Sequence, residues 1–168
     1  MGILEDLQGK VIRLSASLES GDLVKEVLVN HNEDILSLQK EQLLEGKRSN
    51  GDDIRPYYSE DLKPKGYFKT AESAKRYAVW KQGLKYPVNK SRKTDVPNLY
   101  VTGKFHDDLY VRYGAQAVSI EGSTQYGKDI VAKYGLQTFG LNVVNWNKLF
   151  FNFGAYNEVM NKVKTILQ

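Results

Sequence analysis

The chain has 168 residues, a length typical of one domain, and its 41% apolar and 26% charged residues are typical of a globular protein. It contains no cysteine, which excludes disulfides, thiolate metal sites and a cysteine nucleophile. No apolar run reaches the roughly 18 residues of a membrane-spanning helix, and charges interrupt the first 18 positions. We therefore expect neither a membrane span nor a secretory signal.

Basic residues are concentrated in the middle of the chain. The net charge is +4, but residues 62–93 hold ten basic residues and one acidic residue, a net +9, which leaves −5 for the rest. The electric field of such a basic segment attracts polyanions or acidic protein surfaces. The candidate contact residues are Lys63, Lys65, Lys69, Lys75, Arg76, Lys81, Lys85, Lys90, Arg92 and Lys93.

Aromatic rings are interspersed among these cations. Stacking rings between cations are typical of proteins that bind single-stranded nucleic acid, so a nucleic-acid-binding module is one hypothesis for this segment. A solvated face whose rings belong to the core is the alternative interpretation. The rings are those of Tyr67, Phe68, Tyr77, Trp80 and Tyr86.

Apolar spacing predicts two helices at the start of the chain. Leucine and valine recur at helical spacing over about residues 3–18, which predicts a first helix. Asp22 can cap a second, longer helix that reaches about Glu45, and Gly46 follows as a typical helix stop. The stripe of this second helix consists of Leu23, Val27, His31, Ile35, Leu38 and Gln42.

The next segment combines loops with one basic helix. Residues 47–53 are a loop by composition, and two prolines favour an extended chain over residues 55–66. Thr70 can cap a third helix that runs to about Gln82, with Lys81 near its apolar side. Residues 87–97 have the composition of a basic linker.

Alternating patterns predict a small sheet in the second half. Residues 98–102 are a short strand candidate, and residues 109–113 and 118–121 alternate around a glycine-containing turn, which is typical of a hairpin. Helical spacing returns over about residues 126–134. From Asn142 onward it predicts two more helices, the first of which Asn142 caps.

These elements predict a single domain over residues 1–168. Its predicted class is α+β, with N-terminal helices, a small antiparallel β meander packed by helices, and a C-terminal helix. Residues 1–46 would form the N-terminal helices, and residues 47–97 the loop, basic helix and linker. Residues 98–168 would form the β meander and the C-terminal helices.

The sequence contains no recognisable set of catalytic residues. Its two histidines, His31 and His106, have no partners at metal-ligand spacing, and His31 is expected to be structural. His106 precedes Asp107 and Asp108 and could serve as a base in a hydrolase, but solvated turn residues are the favoured interpretation. No phosphate loop, dinucleotide fingerprint or nucleophile elbow occurs. We therefore expect no enzymatic activity, no cofactor and no metal.

Two local patterns resemble those of a known family. The first is QKEQLLEGKRSNG at residues 39–51, followed by Tyr58 and Ser59. It resembles the helix, QL-x-x-G, S-x-G and YS segment of small structural proteins of tailed phages. The second is PNLYVTGKF at residues 97–105. It resembles the L-x-x-TG-x-(L/F)-x-x-S box of the phage virion-morphogenesis family, the head–tail joining and tail-completion proteins, although Asp108 stands where the family has serine.

The order of the later elements extends the resemblance to about residues 36–168. In that family the box precedes a short β meander, a small helix that ends in (Y/F)G, a turn and a C-terminal helix, and the elements predicted here follow the same order. The residues of the box also predict a local structure: Gly103 allows a sharp turn, Thr102 can hold it by a local hydrogen bond, and Phe105 can pin the returning chain into the core. This turn has either a family-specific role in assembly or the role of an ordinary glycine turn.

The resemblance also implies a location and partners. The chain is expected to be a virion protein, assembled in the host cytoplasm, that forms a homo-oligomeric connector, neck or tail-completion ring. Its partners would be portal, connector or tail proteins, with possible non-specific contact to DNA. A closed ring needs two different matching patches on each subunit. The long first helices and residues 146–153 are candidates for one patch, and core packing is the alternative for the aromatic residues.

Overall fold

Eight α-helices and one hairpin occur in the residues that the computed structural model describes, 3–84, 95–114 and 117–168. The strands are β1 (Leu109–Tyr113) and β2 (Val118–Gly122). A 3₁₀ turn over Leu136–Thr138 and a π-helical turn over Lys148–Asn152 complete the secondary structure. The helices are α1 (Ile3–Glu19), α2 (Asp22–Asn30), α3 (Asn32–Leu44), α4 (Ala71–Gln82), α5 (Lys104–Asp107), α6 (Gln125–Tyr134), α7 (Val143–Asn147) and α8 (Ala155–Leu167).

The predicted long second helix is two helices, α2 and α3. The prediction was wrong at His31, whose backbone angles (φ −97°, ψ 22°) leave the helical region. Its ring lies 2.8 Å from the Asp34 carboxylate and 3.4 Å from that of Glu158 on α8, which confirms the structural role expected for it. The break allows the two helices to pack on different elements: α2 packs on α8, and α3 packs on β1 and α7. Gly21, in the left-handed region, precedes α2 in place of the predicted Asp22 cap.

Gly46 ends α3 as predicted, in the left-handed region at φ 71°. A Cβ at this position would lie 2.5 Å from the Val96 Cγ1 atom and 3.0 Å from the Pro97 carbonyl oxygen. The end of α3 therefore needs glycine both for its backbone angle and for the close approach of the chain at Val96 and Pro97.

Residues 55–66 are folded into turns, so the expectation of an extended chain was wrong. The Asp61 N–H donates to the Tyr57 carbonyl at 3.0 Å, and the Gly66 N–H donates to the Leu62 carbonyl at 2.8 Å. These bonds fold the segment back on itself, and a local preference before proline does not prevent it. The turns bring Phe68 back towards Asp61, whose carbonyl accepts the Phe68 N–H at 2.9 Å.

The basic helix forms as predicted. Thr70 caps α4 through a capping box with Ser73, in which the Ser73 N–H donates to Thr70 Oγ1 at 3.1 Å and the Thr70 N–H donates to Ser73 Oγ at 3.2 Å. Gly83 follows its last residue. Most of the predicted linker, residues 87–94, lies outside the described residues.

The predicted strand over residues 98–102 is irregular chain, because local polar contacts hold it in a turn. The Tyr100 N–H donates to Asn98 Oδ1 at 3.2 Å, and Leu99 between them has φ 56°, which no strand allows. The hairpin is confirmed, with antiparallel register from Leu109 opposite Gly122 to Tyr113 opposite Val118. Of the predicted turn, positions 115 and 116 lie outside the described residues.

The helices after the hairpin are confirmed. Gly135 closes α6 at φ 85°, and the side chain of Asn142 caps α7 by accepting the Asn145 N–H at 2.9 Å. With α8 at the end, helices flank a two-stranded antiparallel sheet, which confirms the α+β class.

Buried apolar residues form two clusters. The main core joins α2, α3, the hairpin and the C-terminal elements, and includes the fully buried Leu43, Ile54 and Leu149. A smaller cluster packs α4 on the turns before it. It consists of Tyr58, Phe68, Ala74 and Ala78, with Leu62 and Tyr77 at its border. Residues 57–84, which carry this second cluster, are called the basic unit below.

Candidate functional site

The turn before α5 has the backbone geometry expected at Gly103. Gly103 lies at φ 87° directly before α5, and a Cβ there would be 3.2 Å from the Tyr100 ring. Phe105 is buried in the main core, with its ring centroid 6.1 Å from that of Phe139, whereas Thr102 is exposed. The turn thus anchors the chain through Phe105, as an ordinary glycine turn also does.

His106 is buried, so the interpretation as a solvated turn residue was wrong for it. Its side chain is 4% exposed and lies edge-on to the rings of Tyr100 and Phe105. Its Nε2 atom lies 3.2 Å from the Asn98 carbonyl oxygen, which accepts its hydrogen. Burial lowers the pKa of His106 to about 4, although the Asn98 carbonyl acts in the opposite direction. The ring is therefore neutral at pH 7 and has a structural partner.

The acidic neighbours of His106 do not converge on it. Asp107 is exposed on the surface of α5. Asp108 accepts hydrogen bonds from the hydroxyls of Ser123 and Thr124 and from the Thr124 N–H, and these bonds lower its pKa. Asp108 thereby fixes the start of α6. Across residues 3–84, 95–114 and 117–168, no three histidine, aspartate or glutamate side chains form a group that could hold a metal.

Five of the predicted basic residues lie exposed on the basic unit. Within the described ranges, none of them has a carboxylate within salt-bridge distance, although most cations elsewhere do, such as Lys47 with Asp53 and Lys162 with Glu26. Their charges are therefore available to an anionic partner. The five exposed cations are Lys63, Lys65, Lys69, Lys75 and Arg76.

The other predicted basic residues do not join this surface in the same way. Lys81 is only 3% exposed, so its expected place near the apolar side of the helix is confirmed and it is no surface contact. The remaining four, Lys85, Lys90, Arg92 and Lys93, lie outside the described residues.

Aromatic rings run through the basic unit and emerge at both ends. The ring centroids of consecutive members lie 5.1, 5.2 and 5.4 Å apart along the series Tyr67, Phe68, Tyr77 and Trp80. Phe68 is buried, but Tyr67 is 70% exposed and Trp80 is 50% exposed. Two solvent-accessible rings thus lie on the same unit as the exposed cations, a combination that the hypothesis of nucleic-acid binding requires.

An ion pair joins the basic unit to α6. The buried carboxylate of Asp61 lies 2.5 Å from Lys133 Nζ and also accepts the Tyr67 N–H at 3.2 Å. Lys133 Nζ is 5.9 Å from the centre of the Tyr67 ring. The exposed ring at this end of the unit is therefore positioned by the main core, a relationship between distant residues that the sequence did not indicate.

The first helix presents an apolar stripe to solvent. None of the described side chains of α1 is buried, although the helix packs against α8 and α2. Leu4 is 81% exposed and Leu18 is 52% exposed, and Leu7 and Val11 lie between them on the same side. These four residues are called the α1 stripe below. A helix of this kind usually has its apolar face covered, so the stripe is a candidate interface.

The aromatic segment of residues 146–153 contains both buried and exposed side chains. Leu149 is fully buried, and Trp146 and Phe150 are half-buried beside it, with ring centroids 6.0 Å apart. Phe151, however, is 67% exposed and packs only loosely against the exposed Tyr156, at 5.9 Å. Core packing therefore accounts for Leu149, Trp146 and Phe150, while the exposed Phe151 stays available for the predicted patch.

No protein-family model matches the chain, and neither the curated proteins nor the solved structures give a significant match. Among residues 3–84, 95–114 and 117–168, no helix combines the length and the apolar character that crossing a bilayer requires.

Proposed function

We propose that the chain is a non-enzymatic structural protein of the head–tail junction of a tailed bacteriophage. It acts as a connector, neck or tail-completion subunit that forms a ring and docks on portal, connector or tail proteins in the virion. The resemblance of residues 39–51 and 97–105 to that family and the order of the later elements support this proposal. The observation that carries it is the exposed α1 stripe, because an apolar patch of this kind marks a site of interaction with a partner surface.

The distribution of exposed apolar residues suits a ring. A ring closes through two different patches that match between neighbouring subunits. The α1 stripe supplies one apolar patch. Phe151, Phe153 and Tyr156 supply a second, at the turn before α8 and the start of that helix. The burial of His106 and the separate role of Asp108 support the non-enzymatic part of the proposal, because the histidine and the carboxylate do not form an acid–base pair.

The proposal is tested by counting copies of the chain in purified tailed particles of the phage that encodes it. Quantitative mass spectrometry, calibrated against the major tail protein, should find the same small integer number of copies in each preparation. Electron microscopy should place the chain at the junction of head and tail. Particles that assemble with full infectivity after deletion of the gene would contradict the proposal.

A second candidate function is binding of nucleic acid through the basic unit. The observation that favours it is the presence, on one unit, of five exposed cations without carboxylate partners in the described structure and of the exposed rings of Tyr67 and Trp80. Such a surface contacts the phosphate backbone and stacks bases without reading their sequence. Binding to a fluorescent single-stranded oligonucleotide, measured at two salt concentrations, tests this candidate directly.

A further inference from the structure

The pattern of hydrogen bonds in the hairpin leaves one edge of β2 unpaired. The Ser123 N–H donates to the Asp108 carbonyl at 3.1 Å, just beyond the end of the ladder. In an antiparallel pair, bonded residues alternate with residues whose N–H and C=O point away from the partner strand. Ser123 and Asp108 are a bonded pair, so the alternation along the register makes Ile120 and Val118 outward-pointing residues of β2.

This edge forms one wall of an apolar trench. The trench has a volume of about 790 Å³ and is bordered by residues 118–123 on one side and by Val131 and Ala132 of α6 on the other. Leu136, Phe139, Leu141 and Trp146 supply further apolar lining. The strand and the helix approach each other closely at Gly122 and Gly127, since a Cβ on Gly127 would lie 2.8 Å from the Gly122 carbonyl oxygen.

The outward main-chain groups in this wall have no hydrogen-bond partner among the described residues. Among the described residues, no hydrogen bond reaches the outward N–H or C=O of Val118 or Ile120, and Ile120 is buried. Donors and acceptors that remain unpaired beside an apolar surface cost free energy, and an open strand edge is a template for another strand.

The need for both donors and acceptors selects the kind of occupant. A helix has already paired its own main-chain groups, and a phosphate supplies acceptors without donors. An extended peptide supplies both, at the spacing of the strand edge. A five-residue strand is about 17 Å long. An extended peptide of about five residues matches that length residue by residue, so a peptide arm fits this site.

We propose that the edge of β2 binds an extended peptide arm of a partner protein, which adds to the hairpin as a third strand. The N–H and C=O groups of Val118 and Ile120 bond the arm. Alternate side chains of the arm point into the trench and are apolar, while those between them face solvent. The described residues of this chain leave the edge open, and we assign the arm to a partner protein. This proposal does not depend on the proposed function, because the edge accepts an arm from any partner.

The test uses a short synthetic peptide of alternating valine and serine with a lysine at each end. Its first control has the same sequence with N-methyl groups on the amides that would bond the edge, and its second is an alanine-rich helical peptide with the same number of valines. Titrations followed by nuclear magnetic resonance report the affinity. Amide hydrogen exchange reports protection of Val118 and Ile120.

Two variants make the test specific for the edge. Val118→Pro removes the outward N–H at the first strand position, where β1 does not use it, and Val118→Ala is its matched control because it shortens the side chain and keeps the N–H. Ala132→Arg places a long side chain in the trench from the exposed face of α6 and leaves the sequence of the strand unchanged. Alanine and arginine both favour a helix, so α6 should be kept.

The expected result is slower exchange at Val118 and Ile120 with the alternating peptide. Its affinity should fall about fivefold in Val118→Pro relative to Val118→Ala, because one hydrogen bond is lost. It should fall below detection in Ala132→Arg. Equal binding of the N-methylated or the helical peptide would overturn the proposal, and so would an absence of protection at both amides.

Discussion

The Asp61 carboxylate on the basic unit and the Lys133 ammonium on α6 form an ion pair of 2.5 Å, between residues 72 positions apart in the chain. The carboxylate is buried, while the lysine side chain is about one-third exposed. Because Asp61 also accepts the Tyr67 N–H, the pair positions one of the exposed rings of the basic unit relative to the main core.

Removal of the lysine from this pair should destabilise the fold. Lys133→Ala leaves a buried carboxylate with little compensation, and we expect a loss of about 2–3 kcal/mol in the free energy of unfolding. Lys128→Ala, at an exposed position of the same helix, is the matched control and should change it by less than about 0.5 kcal/mol. Urea denaturation measures both variants, and equal stability of the two would show that the pair contributes nothing.

The buried His106 should make the stability depend on pH. Its pKa of about 4 in the folded chain lies below its ordinary value of 6.5, so the unfolded chain binds more protons between these values. The contribution is therefore complete above pH 6.5 and is lost as the pH falls towards 4, by about 3 kcal/mol in total.

The variant His106→Gln isolates this contribution. Glutamine keeps a donor for the Asn98 carbonyl but does not titrate, so the difference in unfolding free energy between wild type and variant should change with pH only between about 4 and 6.5. Urea denaturation at several pH values measures it. A constant difference across that range would mean that the ring is accessible to protons in the folded chain.

The basic unit should determine any salt dependence of nucleic-acid binding. With five phosphate contacts, the logarithm of the affinity for single-stranded DNA should fall against the logarithm of salt concentration with a slope of about −3.5. The double variant Lys75→Ala and Arg76→Ala should reduce the slope to about −2. Fluorescence anisotropy measures it, with Arg13→Ala and Lys164→Ala combined as a charge-matched control. An unchanged slope in the Lys75 and Arg76 variant would place the binding surface elsewhere.

Local signals were sufficient for most of the fold. The capping box at Thr70, the glycine after α3 and the alternation over β1 act within a few residues, and each lies where the sequence predicted it. The failures arise from contacts between distant residues. The helix break at His31 is accompanied by contact with Glu158 on α8, which no local pattern contains.

The candidate surfaces could be predicted only in part. Charge counting identified the basic segment of residues 62–93, which overlaps the basic unit, but the burial of Lys81 depends on how α4 packs. The exposure of the α1 stripe could not be predicted, because the same spacing describes a helix that buries its apolar face. The unpaired edge of β2 follows from the register of a single hairpin and from the absence of a third strand in the described residues, and neither is visible in the strand sequence.

The most direct test of the proposed assembly is the size of the protein in solution when the α1 stripe carries a charge. Val11→Lys places an ammonium in the centre of the stripe. Ala16→Lys adds the same charge at an exposed position of the same helix outside the stripe. Sedimentation velocity should show a closed oligomer for the wild type and Ala16→Lys, and a folded monomer for Val11→Lys. Identical sedimentation of all three proteins would contradict assembly through this surface.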